Sequence, residues 1–290
     1  MYTVTHTTRY KYERNVTVCK NIARLIPFSN AYQNCLNTTF TIKPHPQTTR
    51  TYSDPFGNKV TYFEVARPHK ELVITVVSQV DIKSQSQQQL FLSSIPWEQV
   101  RETIYSSKDE RTLMVRDYCL PSPLVPIIDG VQAYALESFQ PGRPLIDATS
   151  DLMRRIFTDF KYDPSFTTIS TPLQDVLTHR KGVCQDFSHL AIACLRSLGL
   201  PARYVSGYLE TLPPEGAEKL QGADASHAWF SVYLPNEGWI DFDPTNNLIP
   251  DDRHISLAQG RDFADVTPLK GVIYGGGNHK LRVEVDVRRA

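Results

Sequence analysis

Residues 182 to 201 read GVCQDFSHLAIACLRSLGLP, and this stretch decides the fold. Phe187, Leu190, Ala191, Cys194, Leu195 and Leu198 recur at steps of three and four, which lays one apolar stripe along a helix. Gly199 stands where such a helix ends, and Pro201 forbids its continuation. The helix is predicted over Cys184 to Leu198, with Cys184 in its first turn. That position bears on chemistry. A helix N-terminus presents unpaired N–H groups and a partial positive charge, which stabilise a thiolate and can hold a developing oxyanion. The commonest fate of a cysteine is as a small buried hydrophobe, and Cys194, inside the stripe, fits it. Cys184 opens the helix next to Gly182 and reads as a nucleophile. Asp186 reads as a first-turn acid facing the helix dipole, on a different side from the thiol. His189 reads as a solvated or hydrogen-bonded histidine rather than a second base.

Beyond Pro201 the pattern turns to strands. Arg203 to Tyr208, Ala228 to Leu234 and Trp239 to Asp243 are predicted as β, the last two joined by Pro235-Asn236-Glu237-Gly238. A helix on an antiparallel sheet is an α+β layout. A thiol nucleophile needs a base, usually histidine. His227 begins the second strand, where the plain expectation is a strand-end histidine satisfied locally. The hairpin register changes the balance. If Val232 pairs with Gly238 across a five-residue loop, His227 lies opposite Asp243. Opposed residues share a face, about 5 Å apart at Cβ. The carboxylate can then fix the imidazole tautomer and stabilise the imidazolium. A four-residue loop instead places Asn246 opposite His227, and Cys-His-Asn is also a workable triad. Asp241 shares the face of Asp243 but lies nearer the turn.

Upstream, residues 1 to about 85 read as β. Thr3 to Thr7 and Thr39 to Lys43 alternate, and Leu72 to Ile82 is rich in β-branched residues. Turn signals at Lys43-Pro44-His45-Pro46 and Asp54 to Asn58 separate the runs, which predicts an antiparallel sandwich. Gln85 to Gln89 is a polar tract that reads as a linker. Pro96-Trp97 looks like a helix start, Pro121-Ser122-Pro123 breaks the chain, and Leu152, Ile156 and Phe160 keep helical spacing. The predicted division is a β-sandwich over 1–85, a mainly helical connecting segment over 86–145, and a catalytic core over 146–290 that includes a C-terminal strand, Leu281 to Val287.

The 290 residues balance 31 basic against 31 acidic side chains, so no global charge favours nucleic acid or anionic lipid. Hydrophobic residues make up 41% and charged residues 21%, the composition of a globular protein rather than a disordered one. The apolar run Leu72 to Val77 is far short of the about 20 residues that cross a bilayer. MYTVTHTTRY lacks the charged lead and apolar block of a secretory signal, so a cytoplasmic location is expected. The five cysteines form no C-x-x-C pair, which argues against a disulfide framework or a zinc knuckle and suits a reducing compartment.

Three blocks in order carry a family resemblance: Gly182 to His189 continuing through Gly199-Leu200-Pro201-Ala202-Arg203-Tyr204-Val205-Ser206-Gly207-Tyr208, then Ser226-His227-Ala228-Trp229, then Trp239 to Asn246 with Asp243-Pro244-Thr245-Asn246. They resemble the core of the transglutaminase-like superfamily. Arg24-Leu25-Ile26-Pro27 and Asp54 to Asn58 resemble the β-rich N-terminal domain of its bacterial members, and Gly260 to Val266 with Tyr274-Gly275-Gly276-Gly277 resemble their C-terminal segment. The resemblance spans nearly the whole chain. It implies a papain-like core, often described as a cysteine protease, and assigns the third triad position to Asp243 beside Cys184 and His227. It also implies an aromatic oxyanion donor ahead of the cysteine, which corresponds to Tyr162; a core tyrosine is the plain alternative.

The expected fold is α+β, a papain-like transglutaminase core behind an all-β N-terminal sandwich. The expected activity is cysteine-dependent acyl transfer on protein or peptide amides through a thioester. A cysteine peptidase or amidase using the same intermediate and a non-catalytic peptide-binding module are the alternatives. The expected partner is a protein or peptide, not nucleic acid or membrane. No metal or organic cofactor is implied, and no twelve-residue acidic calcium loop is found.

Overall fold

A computed structural model describes residues 1–83, 94–168, 170–211 and 225–289, Ala225 by its backbone alone. The polar tract Gln85 to Gln89 lies outside the described residues. Five strands come first: β1 (Tyr2–Ala23), β2 (Gln33–Lys43), β3 (Thr48–Ser53), β4 (Lys59–Val65) and β5 (His69–Ile82). Helices α1 (Trp97–Ser106), α2 (Glu110–Val115), α3 (Val131–Leu136) and α4 (Leu145–Asp159) follow. Short strands β6 (Lys161–Tyr162) and β7 (Lys181–Gly182) bracket α5 (Leu173–His179), and β7 leads into α6 (Cys184–Ser197). Strands β8 (Ala202–Leu209), β9 (Ala225–Leu234), β10 (Gly238–Phe242) and β11 (His254–Gly260) come next. Helix α7 (Phe263–Val266), β12 (Leu269–Gly275) and β13 (His279–Arg289) close the chain.

The N-terminal sheet is organised by β1, which is 22 residues long and changes partners midway. Its first half, Tyr2 to Lys11, lies between β5 and β13, and its second half, Cys19 to Ala23, lies between β4 and β12. The change comes at Glu13-Arg14-Asn15, which are all exposed where the rest of the strand alternates. Two four-stranded halves, β2-β5-β1-β13 and β3-β4-β1-β12, thus share one strand. Their inward side chains, Val4, Tyr12, Val16, Phe63, Ile74 and Val285 among them, close on one core.

The second sheet has the order β10-β9-β8-β11 and carries α6 on one face. Ala228, Phe230, Val232 and Leu234 alternate toward the buried face of α6, where Leu190, Ala191, Cys194 and Leu195 are fully or almost fully enclosed. Each fully buried Leu or Phe in this layer stabilises the fold by about 1.5–3 kcal/mol relative to exposure.

Two expectations on domain division need correction. The C-terminal strand is not part of the catalytic sheet. It is β13, paired with β1 from Tyr2↔Arg289 to Tyr12↔His279, and β12 likewise pairs with the second half of β1. Both chain ends therefore meet in the N-terminal sheet. Nor are residues 97–136 a connecting segment: Val100, Ile104, Val115, Val131 and Tyr134 are buried in the same core as α6.

The two sheets are joined by side-chain amides. Strand β11 is an edge of its sheet and would leave backbone groups unpaired where the N-terminal region covers it. Gln33 donates to the Ser256 carbonyl (2.7 Å) and accepts from the Ser256 N–H (2.8 Å). Asn58 does the same with Gln259, at 2.8 Å in both directions. Each amide stands in for a strand neighbour. No helix of the described residues is long and apolar enough to cross a membrane.

Candidate active site

Cys184 is the first residue of α6, and Val183 precedes it as the cap. The turn is held by Asp186, whose Oδ2 accepts the Val183 N–H at 2.8 Å. Asp186 is buried and turned back on the backbone, and burial raises its carboxyl while the Val183 N–H draws it down. The turn also explains Gly182: a Cβ there would stand 2.8 Å from the Asp186 Cβ and 2.9 Å from its Oδ2. Such contacts are too close for any other residue.

The His227 ring is hydrogen-bonded to the Cys184 thiol on one side and to Asp243 on the other. His227 Nε2 lies 2.7 Å from Asp243 Oδ2, which leaves Nδ1 for the thiol. Burial pushes the imidazole down, but the bonds to Asp243 and Cys184 outweigh it and raise His227 to about 10. Burial likewise pushes the Asp243 carboxyl up, and its bonds to His227, His254 and Asn246 overcome this and hold it well below the usual range. Asp243 is completely enclosed, so its charge is stable there only because donors surround it.

The pairing of His227 with Asp243 arises from a register other than the expected one. The hairpin pairs Leu234 with Gly238 and Phe230 with Phe242, across a three-residue loop. Continued, this register sets Asp243 against Trp229, one pleat away from His227. Asp243 reaches His227 diagonally because β10 has ended: Asp243 pairs instead with Leu248 in a tight turn. A shift of two residues preserves the face of every side chain, which is why the pair survives the change.

The same turn settles the place of the two rival residues. Asp243 Oδ1 accepts the N–H groups of Thr245 (2.9 Å) and Asn246 (3.2 Å), and Asn246 Nδ2 donates to Asp243 Oδ2 at 2.7 Å. Asn246 is also 3.3 Å from His227 Nε2. It therefore lies against both the aspartate and the imidazole, with the shorter bond to the aspartate. Asp241 is engaged elsewhere. It accepts from Trp229 Nε1 at 3.2 Å and from the Ser231 hydroxyl, beside a cleft of about 780 Å³ lined in part by Arg203, Trp239 and Asp241.

Tyr162 is brought to the site by β6, which pairs in parallel with β7 so that Tyr162 lies against Gly182, two residues before the cysteine. It is not a core tyrosine: it is 52% exposed. Burial of the rest of the ring raises its hydroxyl, and the nearby Cys184 and Asp186 charges raise it further. His189 is enclosed, not solvated. Its Nε2 accepts the Phe263 N–H at 3.2 Å, and burial lowers it to about 4.

One residue of the site escapes the sequence reading. His254, at the start of β11, points Nε2 at Asp243 Oδ2 (3.2 Å) and sets Nδ1 3.1 Å from Asp251 Oδ1. Its only sequence signal is the one His227 also carries, a histidine just ahead of a buried strand. Trp229 packs edge-on against it, with ring centroids 5.3 Å apart. Gly207 makes room for this tryptophan, since a Cβ there would meet the indole at 2.4 Å and the Ile255 carbonyl at 2.3 Å. His227, Asp243 and His254 present ligand atoms within 4.8 Å of one another, the spacing of a metal site. Those atoms already bond to each other, so an ion there would have to displace the hydrogen bonds that orient His227.

Two family descriptions match the chain: the bacterial transglutaminase-like N-terminal region over residues 2–81 and the transglutaminase-like superfamily over residues 132–244. The uncharacterised protein Rv2569c of Mycobacterium tuberculosis is 43% identical, over 99% of this chain and 92% of its own. The uncharacterised protein ML0607 of Mycobacterium leprae is 33% identical over 99% of this chain and 98% of its own. The protein-glutamine gamma-glutamyltransferase of Pseudomonas aeruginosa is 29% identical over 43% of this chain and 20% of its own length. A crystal structure from Cytophaga hutchinsonii, of a protein provisionally assigned as a cysteine protease, has the same fold: the TM-score is 0.76 at 24% identity, over 99% of this chain and 90% of that one. The chain belongs to the transglutaminase-like superfamily, with the bacterial transglutaminase-like N-terminal region ahead of the core.

Proposed function

We propose that the protein is a cysteine-dependent acyltransferase that acts on protein or peptide amides through a thioester. One observation carries the reading. Cys184 opens a helix, bonded to a histidine whose other nitrogen holds an enclosed, multiply bonded aspartate. A histidine raised to about 10 is protonated at neutral pH, so it stands beside the nucleophile as the acid the leaving group needs.

The steps follow from that pair. The Cys184 sulfur attacks the amide carbonyl carbon and forms a C–S bond. The oxyanion is held by the Cys184 N–H at the start of α6, with the Tyr162 hydroxyl at the rim as a further donor. His227 gives its proton to the amide nitrogen, the C–N bond breaks, and ammonia or an amine leaves. Neutral His227 then takes a proton from the incoming nucleophile, which attacks the thioester and expels the Cys184 thiolate. An amine acceptor completes transfer. Cys184 is only partly buried, so water also reaches the thioester, and hydrolysis is the second reading. Turnover is expected to fall as pH rises through about 10, where His227 loses the proton the leaving group needs.

Intact-mass spectrometry with a panel of glutamine-containing and other peptides tests this. The expected result is a thioester adduct on the wild type, with release of ammonia and incorporation of an added primary amine. Cleavage of the peptide chain would move the assignment to a peptidase. A wild-type protein that forms no more adduct than Cys184→Ala would end the acyl-enzyme reading.

A further inference from the structure

We propose that His254 is a positioning residue of the site, a second histidine that holds the Asp243 carboxylate on His227 by sharing its Oδ2 oxygen and tying it to Asp251. The proposal rests on the acyl-transfer reading above. His254 makes no contact with Cys184 that would give it a part in bond making; it acts through the aspartate.

The geometry carries the argument. A carboxylate that orients a catalytic imidazole must itself be unable to rotate. The Asp243 Oδ1 oxygen is fixed by the two turn N–H groups of Thr245 and Asn246. Its Oδ2 oxygen faces three donors: His227 Nε2 at 2.7 Å, Asn246 Nδ2 at 2.7 Å and His254 Nε2 at 3.2 Å. Asn246 belongs to the same turn as Asp243 and moves with it. His254 does not. It stands on β11, an interior-facing strand end whose side chain is 1% exposed. It is thus the donor that refers the carboxylate to the rest of the sheet.

The far side of the ring is anchored too. Nδ1 lies 3.1 Å from Asp251 Oδ1 and 3.3 Å from the Asp251 N–H, and Asp251 in turn accepts from Arg253 Nε at 2.9 Å. The charged groups facing His254 are therefore Asp243, His227, Asp251 and, through Asp251, Arg253. The Trp229 edge fills the remaining side. Burial lowers the His254 imidazole, but the two carboxylates outweigh it and raise it overall. A ring so placed can donate through Nε2 to Asp243 while Nδ1 accepts the Asp251 N–H, and an apolar residue of the same size would do neither.

The test compares His254→Phe, which keeps the ring's volume, with His254→Gln, whose amide nitrogen still donates toward Asp243. The readouts are the pH dependence of kcat and of Cys184 alkylation by iodoacetate, whose charge the His227 imidazolium attracts. Peptide mapping identifies the labelled thiol, and thermal unfolding is followed in parallel. With Asp243 unanchored, His227 is less well stabilised as the cation. For His254→Phe the alkaline break is expected to move down by about one unit, with kcat lower by about tenfold at unchanged KM. His254→Gln should keep the wild-type break. A purely structural role would lower the unfolding temperature of both and move neither break, and that outcome overturns the proposal. A break that moves upward in His254→Phe also overturns it, because the residue would then act as a positive charge rather than a clamp.

Should His254→Phe not fold, Asp251→Asn loosens the same anchor from its partly exposed end. A downward movement of about half a unit is expected, and an unmoved break overturns the proposal. Failure of the underlying reading looks different. Wild-type Cys184 would then be labelled no faster than the other thiols and would show no break, before any variant is considered.

Discussion

Two turns of one helix hold a cysteine each, and they put it to opposite ends. Cys194, in the third turn of α6, is completely buried among Leu190, Ala191 and Leu195, and burial pushes its thiol up to about 12. Cys184, in the first turn, is partly exposed and bonded to His227. Residue type and helix are the same. What differs is the supply of backbone N–H groups, which exists only at the helix start, and a strand that delivers an ionised partner there. The middle of the helix is closed by apolar packing, which favours the neutral thiol. Reactivity here is a property of position.

The largest expected effect breaks the comparison at its centre. Cys184→Ala should fold as the wild type and form no acyl-enzyme. Cys194→Ala should acylate normally and lose about 1 kcal/mol of stability to the small cavity, about 2–4 °C in Tm. Limiting iodoacetamide at pH 6 with peptide mapping gives the same contrast in the native protein. Label should enter Cys184 first and leave Cys194 and Cys119 untouched, since burial raises both of the latter thiols. Preferential labelling of Cys119 or Cys19 would remove the distinction between the two turns.

The next effect sharpens what the partner strand contributes. Asp243→Ala should lower turnover on the order of 10³- to 10⁴-fold, less than Cys184→Ala, because the aspartate orients His227 and forms no bond to substrate. Added to Cys184→Ala it should cost almost nothing more. Asp243→Asn should be milder, since an amide oxygen can still accept from His227. Asn246→Ala removes one bond to the same oxygen and should cost about 1 kcal/mol, roughly fivefold. Asp241→Ala should leave acylation intact and destabilise the fold by about 1–3 kcal/mol, because Ser231 and Trp229 lose their acceptor. If Asn246→Ala is crippled while Asp243→Ala acylates normally, the asparagine is the third member after all.

The first turn of α6 was legible in the sequence because its signals are local. The apolar stripe, Gly199 and Pro201 bound the helix, and Gly182 stands just ahead of it; that Asp186 is what crowds Gly182 is visible only in the structure. The hairpin register was not legible. Asn236 and Gly238 adopt positive φ angles of 69° and 92°, which tightens the loop to three residues, and no count of loop length anticipates that. Alternation kept His227 and Asp243 on one face regardless. Strand β11 left no period-two signal because His254 to Ala258 are all buried, and Asp251-Asp252-Arg253 ahead of it reads as a solvated charge run. The place of β13 depends on pairing between the two ends of the chain, which leaves no mark in the alternation of either strand.

The smallest expected effect tests whether the N-terminal region stands apart from the chemistry. Among the described residues it supplies no hydrogen bond to Cys184, His227 or Asp243, but Gln33 and Asn58 hold the outer edge of β11, the strand that begins with His254. Gln33→Ala removes three bonds at once, two to Ser256 and one to the Phe28 carbonyl, and leaves the Ser256 N–H and carbonyl without partners in a covered interface. The expected loss is about 1–3 kcal/mol of stability, read as a fall in Tm or in the denaturant midpoint. The strand is also fixed on its inner side, where β8 pairs with it from Leu209↔His254 to Tyr204↔Gly260. The ladder to β8 should therefore keep His254 in place, and acylation below the new melting range should match the wild type within about twofold. Asn58→Ala should behave alike, with a similar loss, because its amide likewise makes a third bond, to Asp54 at 3.0 Å. A variant that stays folded and acylates tenfold more slowly would show that the N-terminal region reaches the triad through β11, and the division between scaffold and site would then have to be redrawn along that strand.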